Sequence, residues 1–236
     1  PEEINRIVTD SICDHFFTTT TLAGDLLHKT GVEDARIHFV GNTMIDTLTQ
    51  NLDRLQKPKI WDSTGLASKN YFLLTLHRPA NVDDAGKLVE FLNAILDGTE
   101  EYRVIFPVHP RTRKTLQNVH FNNNRLIQID PLGYLEFIYL LKYARAVITD
   151  SGGITEEATV LDVPCMTLRD STERPETVTI GTNELVGTNP QDLAPYLKRL
   201  SEGKWKKGAT PELWDGHTSK RIVKILLQIY GANKSG

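Results

Sequence analysis

The chain has 236 residues, of which 39% are hydrophobic and 24% charged, proportions that allow a folded protein with a sizeable buried core. Its 27 basic and 30 acidic side chains are interspersed and give a formal net charge of −3. A protein that follows a nucleic-acid backbone or an anionic membrane needs a concentrated patch of positive charge, which this sequence lacks. We therefore expect neither nucleic-acid nor membrane partners.

The two cysteines, Cys13 and Cys165, are far apart and do not form the close pairs typical of a zinc knuckle or a disulfide framework. Two reduced thiols suit the cytoplasm, which is the location we expect. No apolar run approaches the roughly 20 residues that cross a bilayer. The chain opens on Pro1 rather than on methionine and enters a helical pattern at once, so we expect a fragment of a longer protein.

The first part of the chain alternates helical and extended patterns. Proline followed by two glutamates favours a helix N-terminus, and near-helical apolar spacing continues this helix to about Asp14. A strand at 16–18, a helix at 22–29 and a strand at 37–40 follow, and Gly41-Asn42-Thr43 begins a helix that runs through Leu55. Residues 57–70, with Pro58 and Gly65, are the only linker-like stretch, so we place a boundary between residues 1–56 and residues 57–236.

Beyond this stretch, six short apolar runs alternate with helical patterns. The runs lie at 71–76, 104–108, 126–129, 146–149, 165–168 and 184–186, and their lack of polar alternation is typical of a parallel sheet buried on both faces. The helical patterns lie at 85–96, 111–117, 134–143, 154–161 and 192–201, and another closes the chain at 218–229. The sequence therefore predicts an α/β fold with a doubly wound parallel sheet.

The strongest candidate for a ligand site is the segment from Thr149 to Glu157. In a doubly wound sheet, ligands bind at the carboxyl ends of the strands, and here a buried strand leads directly into Ser151-Gly152-Gly153 at the start of a helix. The free amides of a helix N-terminus, the helix dipole and the Ser151 hydroxyl would together hold a phosphate. Glu157 lies one turn after Gly153 and could accept hydrogen bonds from a ribose, whereas we expect Glu156 to face solvent.

The same spacing has a structural explanation. Two glycines also make a tight turn between a strand and a helix, and an acidic residue in the first turn stabilises the helix dipole. On spacing alone, the two interpretations of Ser151-Gly152-Gly153 and Glu157 are equally consistent with the sequence.

Three other strand ends carry side chains that suit an anionic ligand. Arg174 lies in a charged loop after the strand at 165–168 and could hold a phosphate or neutralise a leaving pyrophosphate. His77 and Arg78 follow the strand at 71–76, and His109 follows the strand at 104–108. Charged loops are more often solvated turns, but Pro175 and the strand-end position favour a functional role for the loop that holds Arg174. Lone histidines are more often structural, but the same pattern at two strand ends favours a functional role for His77.

Several chemistries have no motif in this sequence. The remaining histidines are His15, His28, His38, His120 and His217. None of them is paired at metal-ligand spacing, so we expect no metal and no other cofactor. No Gly-x-Ser-x-Gly elbow and no Gly-x-x-x-x-Gly-Lys loop occurs, which argues against the hydrolases and P-loop proteins that depend on them.

Seven motifs, in one order and over nearly the whole chain, resemble the non-hydrolysing UDP-N-acetylglucosamine 2-epimerases. They are Pro1-Glu2-Glu3-Ile4-Asn5-Arg6, Gly41-Asn42-Thr43 with Ile45-Asp46, Leu76-His77-Arg78 with Asn81, Pro107-Val108-His109, Thr149-Asp150-Ser151-Gly152-Gly153 with Glu156-Glu157, Arg169-Asp170 with Thr172-Glu173-Arg174-Pro175-Glu176, and Gly181-Thr182-Asn183 with Leu185-Val186-Gly187. Each motif alone is weak, and their order carries the resemblance.

The resemblance implies a glycosyltransferase type B architecture of two Rossmann-like domains. Residues 57–236 would be the second, UDP-binding domain, residues 1–56 the connecting segment and its start, and the first domain would be missing. By resemblance, five residues match UDP-binding positions: Ser151, Gly152, Gly153, Glu157 and Arg174. Phe137 matches an aromatic residue that packs near the uracil. Phe137 could equally fill the core. His77 matches the active-site histidine and Glu2 a proposed acid/base carboxylate.

The family's reaction interconverts UDP-N-acetylglucosamine and UDP-N-acetylmannosamine by eliminating UDP and adding it back. The resemblance therefore implies UDP and UDP-N-acetylglucosamine as ligands, a homodimer, and a fragment that binds UDP without turnover. Two alternatives remain open: a UDP-sugar glycosyltransferase of the same fold, and a non-catalytic nucleotide-sugar-binding module. At Pro79-Ala80 this sequence departs from the charged pair common in the family, which leaves the contacts of that loop open.

Overall fold

The computed structural model describes residues 2–119 and 121–231. The chain divides into two compact units, which we call the central unit, residues 51–210, and the terminal unit, in which residues 1–50 join residues 211–236. Among the described residues, no helix is both long enough and apolar enough to cross a membrane.

The central unit is built on six parallel strands: β3 (Tyr71–Thr75), β4 (Arg103–Pro107), β5 (Leu126–Ile129), β6 (Ala146–Thr149), β7 (Cys165–Thr167) and β8 (Asn183–Leu185). Their order across the sheet is β5-β4-β3-β6-β7-β8. Counted within the unit, this is the 3-2-1-4-5-6 order of the Rossmann fold, in which the direction of winding reverses between the two central strands. The predicted α/β, doubly wound class is confirmed.

Eight helices of the described central unit connect and cover these strands: α4 (Lys59–Ser63), α5 (Pro79–Val82), α6 (Ala85–Gly98), α7 (Pro110–Val119), α8 (Tyr134–Tyr143), α9 (Gly152–Val160), α10 (Pro175–Thr179) and α11 (Leu193–Ser201). Alternate strand residues such as Phe72 and Ile148 pack with α6 and α11 in the main core, while the residues between them, such as Leu73 and Val147, are buried as well. Burial on both faces explains why the strands read as continuous apolar runs.

The terminal unit holds a two-stranded parallel sheet of β1 (Phe16–Thr18) and β2 (Ile37–Phe39). Its helices are α1 (Glu2–Ile12), α2 (Thr21–Lys29), α3 (Thr43–Asn51) and α12 (Thr218–Gly231). The Asp46 carboxylate in α3 accepts hydrogen bonds from the backbone amides of Thr218 and Ser219 at 2.9 and 2.7 Å, and Trp214 donates to the Thr19 carbonyl. These contacts tie residues 211–231 to the N-terminal residues.

Two features differ from the sequence expectation. The stretch predicted as a linker contains α4, whose Trp61 packs edge-on against Tyr71, Tyr139 and Tyr143. The compact units divide the chain after Gln50 and place the C-terminal helix with the N-terminal residues, whereas the sequence analysis assigned that helix to the nucleotide-binding domain. A helix capped by a carboxylate more than 170 residues earlier in the chain leaves no local signal of its docking site.

Candidate functional site

The candidate site lies at the carboxyl ends of β3 and β6, the two central strands of the sheet. β3 leads into Leu76-His77-Arg78, and β6 leads into Asp150-Ser151. The last residues of the two strands are joined by a hydrogen bond of 2.6 Å between the Thr75 and Thr149 hydroxyls. Because winding reverses here, the two connections leave toward opposite faces and open a crevice between them.

The N-terminus of α9 forms one wall of this crevice. Ser151 is the N-cap residue and Gly152 the first helical residue, and the Ser151 side chain makes no capping hydrogen bond. Its backbone amide donates to the Thr149 hydroxyl at 3.0 Å, which holds the turn in place. A hydroxyl and first-turn amides at a helix start are suited to bind an anion such as a phosphate.

A cavity of about 300 Å³ opens beside this helix start. It brings together four of the predicted site residues, His77, His109, Phe137 and Ser151, with Thr75, Leu76, Pro107, Pro131, Leu132 and Ile154 completing its lining. The imidazole rings of His77 and His109 have centroids 6.0 Å apart. The convergence expected of the strand-end histidines is therefore present, although their roles stay predictions.

Asp150 organises the loop after β3, although the sequence analysis gave it no role. Its fully buried carboxylate accepts hydrogen bonds from the backbone amides of His77 at 3.0 Å and Arg78 at 2.9 Å and from the Asn81 side chain at 3.2 Å. His77 Nδ1 lies 2.7 Å from Asp150 Oδ1. Burial alone would raise the pKa of this carboxyl, but the hydrogen bonds from His77 and Arg78 hold it below its usual range. The signal was an acidic residue directly after a central strand.

Arg78 is fixed by the same residue, since its Nε donates to the Asp150 carbonyl oxygen at 3.0 Å. It is half-buried and is absent from the lining of the cavity. Arg78 therefore packs beside the crevice, and its contact with a ligand stays a prediction.

Glu157 is buried in α9 and accepts a hydrogen bond from Tyr134 at the start of α8. Burial raises the pKa of Glu157 to about 7, and the hydrogen bond from Tyr134 opposes this shift. The group therefore titrates near neutral pH. Tyr134 was missed by the sequence analysis, because a contact between two different helices leaves no spacing pattern.

Arg174 precedes α10 and forms an ion pair with Glu156, whose carboxylate lies 2.6 Å from Arg174 Nε. Glu156 is 2% exposed, so the expectation that it faces solvent was wrong. The guanidinium supplied by the following loop compensates the buried charge, as a buried carboxylate requires. Arg174 itself retains 41% exposure of its side chain.

A second ion pair lies beside Gly152. Arg169 and Glu173 make two hydrogen bonds of 2.7 and 2.5 Å, and the bond from Arg169 lowers the pKa of Glu173 to about 2. A Cβ atom on Gly152 would lie 3.8 Å from the Glu173 carboxylate and 3.9 Å from the Arg169 guanidinium. The N-terminus of α9 therefore lies beside an ion pair whose two charges, on Arg169 and Glu173, neutralise each other.

Glu2 is the other residue predicted to be catalytic, whereas His15, His38 and His120 were given no role in the site. Glu2 begins α1 of the terminal unit, and its side chain lies outside the described residues. His15 and His38 approach to 3.1 Å in the terminal unit, and His120 lies outside the described residues. Across residues 2–119 and 121–231, no cluster of three or more His, Cys, Asp or Glu could hold a metal ion.

Comparison with known proteins gives a consistent result. The family model described as UDP-N-acetylglucosamine 2-epimerase matches residues 1–227. The chain is 41% identical over 238 residues to the UDP-N-acetylglucosamine 2-epimerase of Methanocaldococcus jannaschii, covering 96% of this chain and 64% of the relative. It is 40% identical over 235 residues to the UDP-2,3-diacetamido-2,3-dideoxy-D-glucuronate 2-epimerase of Pseudomonas aeruginosa, covering 97% and 64%.

Solved structures agree. The crystal structure of the Methanocaldococcus jannaschii UDP-GlcNAc 2-epimerase in complex with UDP-GlcNAc and UDP superposes with a TM-score of 0.82 at 40% identity. The match covers 97% of this chain and 65% of that chain. The chain therefore spans a little under two thirds of the length of the proteins it resembles.

Proposed function

The chain belongs to the UDP-N-acetylglucosamine 2-epimerase family, and from this premise we propose that it binds the UDP moiety of a UDP-linked 2-acetamido sugar at the N-terminus of α9. The observation that carries the proposal is the cavity beside that helix, where Ser151, His77, His109 and Phe137 converge. The Ser151 hydroxyl and the amides of Gly152 and Gly153 would hold the pyrophosphate, with Arg174 as a nearby cation. Glu157 would accept hydrogen bonds from the ribose.

For the whole protein we propose inversion of carbon 2 of the sugar. The hydrogen on this carbon is weakly acidic because no ketone is adjacent, so direct deprotonation is a poor route. Elimination avoids this difficulty: a base removes the proton, the C–H electron pair forms a double bond between carbons 1 and 2, and the bond from carbon 1 to the UDP oxygen breaks. UDP then adds back to carbon 1 after a proton returns to the opposite face of carbon 2.

This reaction matches the chemistry of the site. Negative charge grows on the pyrophosphate as it leaves, and donors aimed at that charge lower the barrier most effectively. His77 and Glu2 would supply proton transfer or orientation. The matched relatives are longer by about a third of their length. We accordingly propose that the remaining catalytic groups come from that additional part and that the 236-residue chain binds UDP without turnover.

UDP binding is tested by calorimetric titration of the chain, with ADP as the competing diphosphate. We expect one UDP per chain and weaker binding of ADP. Ser151→Ala should raise the Kd for UDP about tenfold, the usual cost of a hydrogen bond to a charged group. Ser63→Ala, which removes an exposed hydroxyl on α4, should leave the Kd unchanged. Equal affinity for UDP and ADP, or no effect of Ser151→Ala, would contradict the proposal.

The reaction is tested in deuterated water with UDP-N-acetylglucosamine and the protein extended to the length of its relatives. We expect deuterium at carbon 2 of both epimers and traces of free UDP and glycal, with no epimer from the 236-residue chain alone. Epimerisation that retains the original hydrogen would exclude elimination. A sugar transferred only when an acceptor is added would instead indicate a glycosyltransferase.

A second sugar class is supported by the Pseudomonas aeruginosa relative, whose name gives a 2,3-diacetamido glucuronate. Its identity to this chain, 40%, is almost that of the Methanocaldococcus jannaschii protein. The deuterium experiment should therefore be run with both UDP-sugars, and the larger kcat/KM identifies the substrate. We also propose that the protein is cytoplasmic and forms a homodimer. Sedimentation of the extended protein tests the dimer.

A further inference from the structure

The two imidazoles that line the cavity make opposite hydrogen bonds through the same ring atom. His109 Nδ1 accepts a hydrogen bond from the Arg111 amide at 3.2 Å, so this nitrogen carries no proton and Nε2 does. His77 Nδ1 faces Asp150 Oδ1 at 2.7 Å. A carboxylate can only accept this bond, so His77 Nδ1 carries the proton. Neighbouring rings therefore hold opposite tautomers.

Asp150 is kept ionised and immobile by its surroundings. The residue is fully buried, and backbone amides of His77 and Arg78 and the Asn81 side chain all donate to its carboxylate. The Asn81 amide also donates to the Leu168 carbonyl at 3.0 Å, which fixes that donor in turn. A carboxylate surrounded by fixed donors has little freedom to rotate away from His77.

We propose that Asp150 is a positioning residue that locks His77 in the Nδ1–H tautomer and leaves its Nε2 lone pair available to a ligand in the cavity. Its use in proton transfer rests on the proposed function. There, Nε2 would take the proton released when a substrate C–H or O–H bond breaks. The resulting imidazolium would be stabilised by the negative charge of Asp150, which itself stays unprotonated, and would then lose the proton to solvent.

Asp150→Asn should reverse the tautomer of His77. In the wild type, Asp150 Oδ2 accepts the shortest hydrogen bonds from the backbone amides, those of Arg78 and His77. It also accepts a hydrogen bond from the side-chain amide of Asn81. The carbonyl oxygen of the new asparagine would take this place, because an NH₂ group there would oppose three donors. Its NH₂ group would then face His77 Nδ1 and donate to it. His77 should change from the Nδ1–H to the Nε2–H tautomer.

The test is nitrogen NMR of the chain labelled with ¹⁵N-histidine, recorded without UDP at alkaline pH, where imidazoles are neutral. The correlation pattern of each ring identifies its tautomer, and His77→Gln and His109→Gln assign the two signals. We expect Nδ1–H for His77 in the wild type and Nε2–H in Asp150→Asn. His109 should stay Nε2–H throughout as an internal control.

Asp170→Asn is the matched control, because Asp170 is also a carboxylate after a central-unit strand but binds Thr188 instead of a histidine. It should leave both tautomers unchanged. An Nε2–H signal for wild-type His77, or an Nδ1–H signal in folded Asp150→Asn, would overturn the proposal. If that variant does not fold, the wild-type tautomer alone decides. A titration with UDP on the same samples tests the proposed function separately.

Discussion

Glu157 is a carboxyl group whose charge is opposed by its own burial. Its pKa of about 7 lies above the ordinary value of 4.5, so between these values the folded chain binds more protons than the unfolded chain. The stability that this group contributes is therefore fully present below about pH 4.5 and is lost as the pH rises to about 7. A shift of this size corresponds to about 3 kcal/mol at most.

Glu157→Gln removes this titration and keeps an acceptor for Tyr134. We expect the variant to gain about 2–3 kcal/mol relative to the wild type as the pH rises from 4.5 to 8, measured by urea unfolding. Glu101→Gln, at an exposed position, should give a difference that does not change with pH. A pH-independent difference for Glu157→Gln would mean that burial does not control this carboxyl group.

At Gly152, the effect of a substitution on stability can be measured separately from its effect on UDP binding. A Cβ atom there makes only ordinary contacts of 3.8 Å or more, so Gly152→Ala should change the free energy of unfolding by less than about 1 kcal/mol. The methyl group would occupy the mouth of the helix N-terminus, and the Kd for UDP should rise at least tenfold. Calorimetry and thermal melting measure the two effects.

Gly181 provides the opposite control in the same unit. A Cβ atom there would lie 2.4 Å from the Thr159 hydroxyl and 2.6 Å from the Thr177 carbonyl, so Gly181→Ala should destabilise the protein by about 1–3 kcal/mol or more. If Gly152→Ala destabilised the chain as much as Gly181→Ala, the glycine would serve the fold rather than the ligand.

The location of a side chain at the site was predictable from sequence where it depends only on the position of the residue along a strand or helix. His77, His109 and Ser151 each follow a recognisable apolar run, and the rule that ligands bind at strand ends brought them together. Glu156 was predicted wrongly because its partner, Arg174, is 18 residues away and belongs to another loop. Burial that depends on such a partner has no local pattern.

At the scale of single elements, one carboxylate caps the N-terminus of α12. Asp46 accepts two backbone hydrogen bonds from the first residues of α12 and a third from the Ser219 hydroxyl at 2.6 Å. Burial works against ionisation here, but the hydrogen bonds from Ser219 and Thr218 lower the pKa of Asp46. Its stabilising effect is therefore present at neutral pH and is lost as the pH falls through that lowered pKa.

Asp46→Ala should destabilise the terminal unit by about 2 kcal/mol, because it removes a helix cap and three hydrogen bonds. We expect the amides of α12 to exchange with deuterium faster than in the wild type, with little change in β3 or β6. Asp25→Ala, at an exposed position in α2, is the control and should leave α12 unchanged. Uniform acceleration over the whole chain would contradict a local role.

Most of the longer elements were predicted to within two residues. The exception is the helix predicted to run through Leu55, since α3 ends at Asn51 and a short 3-10 turn follows at Leu52–Arg54. α8 and β6 have the predicted bounds, since their apolar patterns are long or bounded by clear breaks. The short helices α4, α5 and α10, of five residues or fewer, were not predicted. Pro79 and Pro175 occupy the first helical positions of α5 and α10, so the segments described as loops after β3 and β7 each contain a helix start.

At the scale of the whole molecule, the central unit contains every residue predicted to bind UDP. Its main core is formed by residues between Phe72 and Trp205, all within the unit. We therefore expect residues 51–210 alone to unfold cooperatively and to bind UDP with an affinity within about threefold of that of the full chain. Circular dichroism and calorimetry test this. A fragment that is folded but binds UDP more than tenfold more weakly would assign part of the site to the terminal unit.

The α/β class and the family could be inferred from the sequence, and both are confirmed. The alternation of apolar runs with helical patterns indicates the class, because helices that cover both faces of a parallel sheet bury such runs completely. The order of the strands could not be inferred in the same way. Nothing in the apolar runs themselves specifies that β3 pairs with β6, which follows it only after two intervening strands.

This pairing has a consequence for how the protein is made. Thr75 and Thr149, whose hydroxyls meet at the centre of the sheet, are 74 residues apart in the chain. During synthesis, His77 and its loop leave the ribosome well before Asp150, and their hydrogen bonds to its carboxylate must wait for β6. Contacts between residues so distant in the chain form slowly, so the site is completed late in folding. In a refolding experiment, the time at which UDP binding appears would therefore report when β3 pairs with β6.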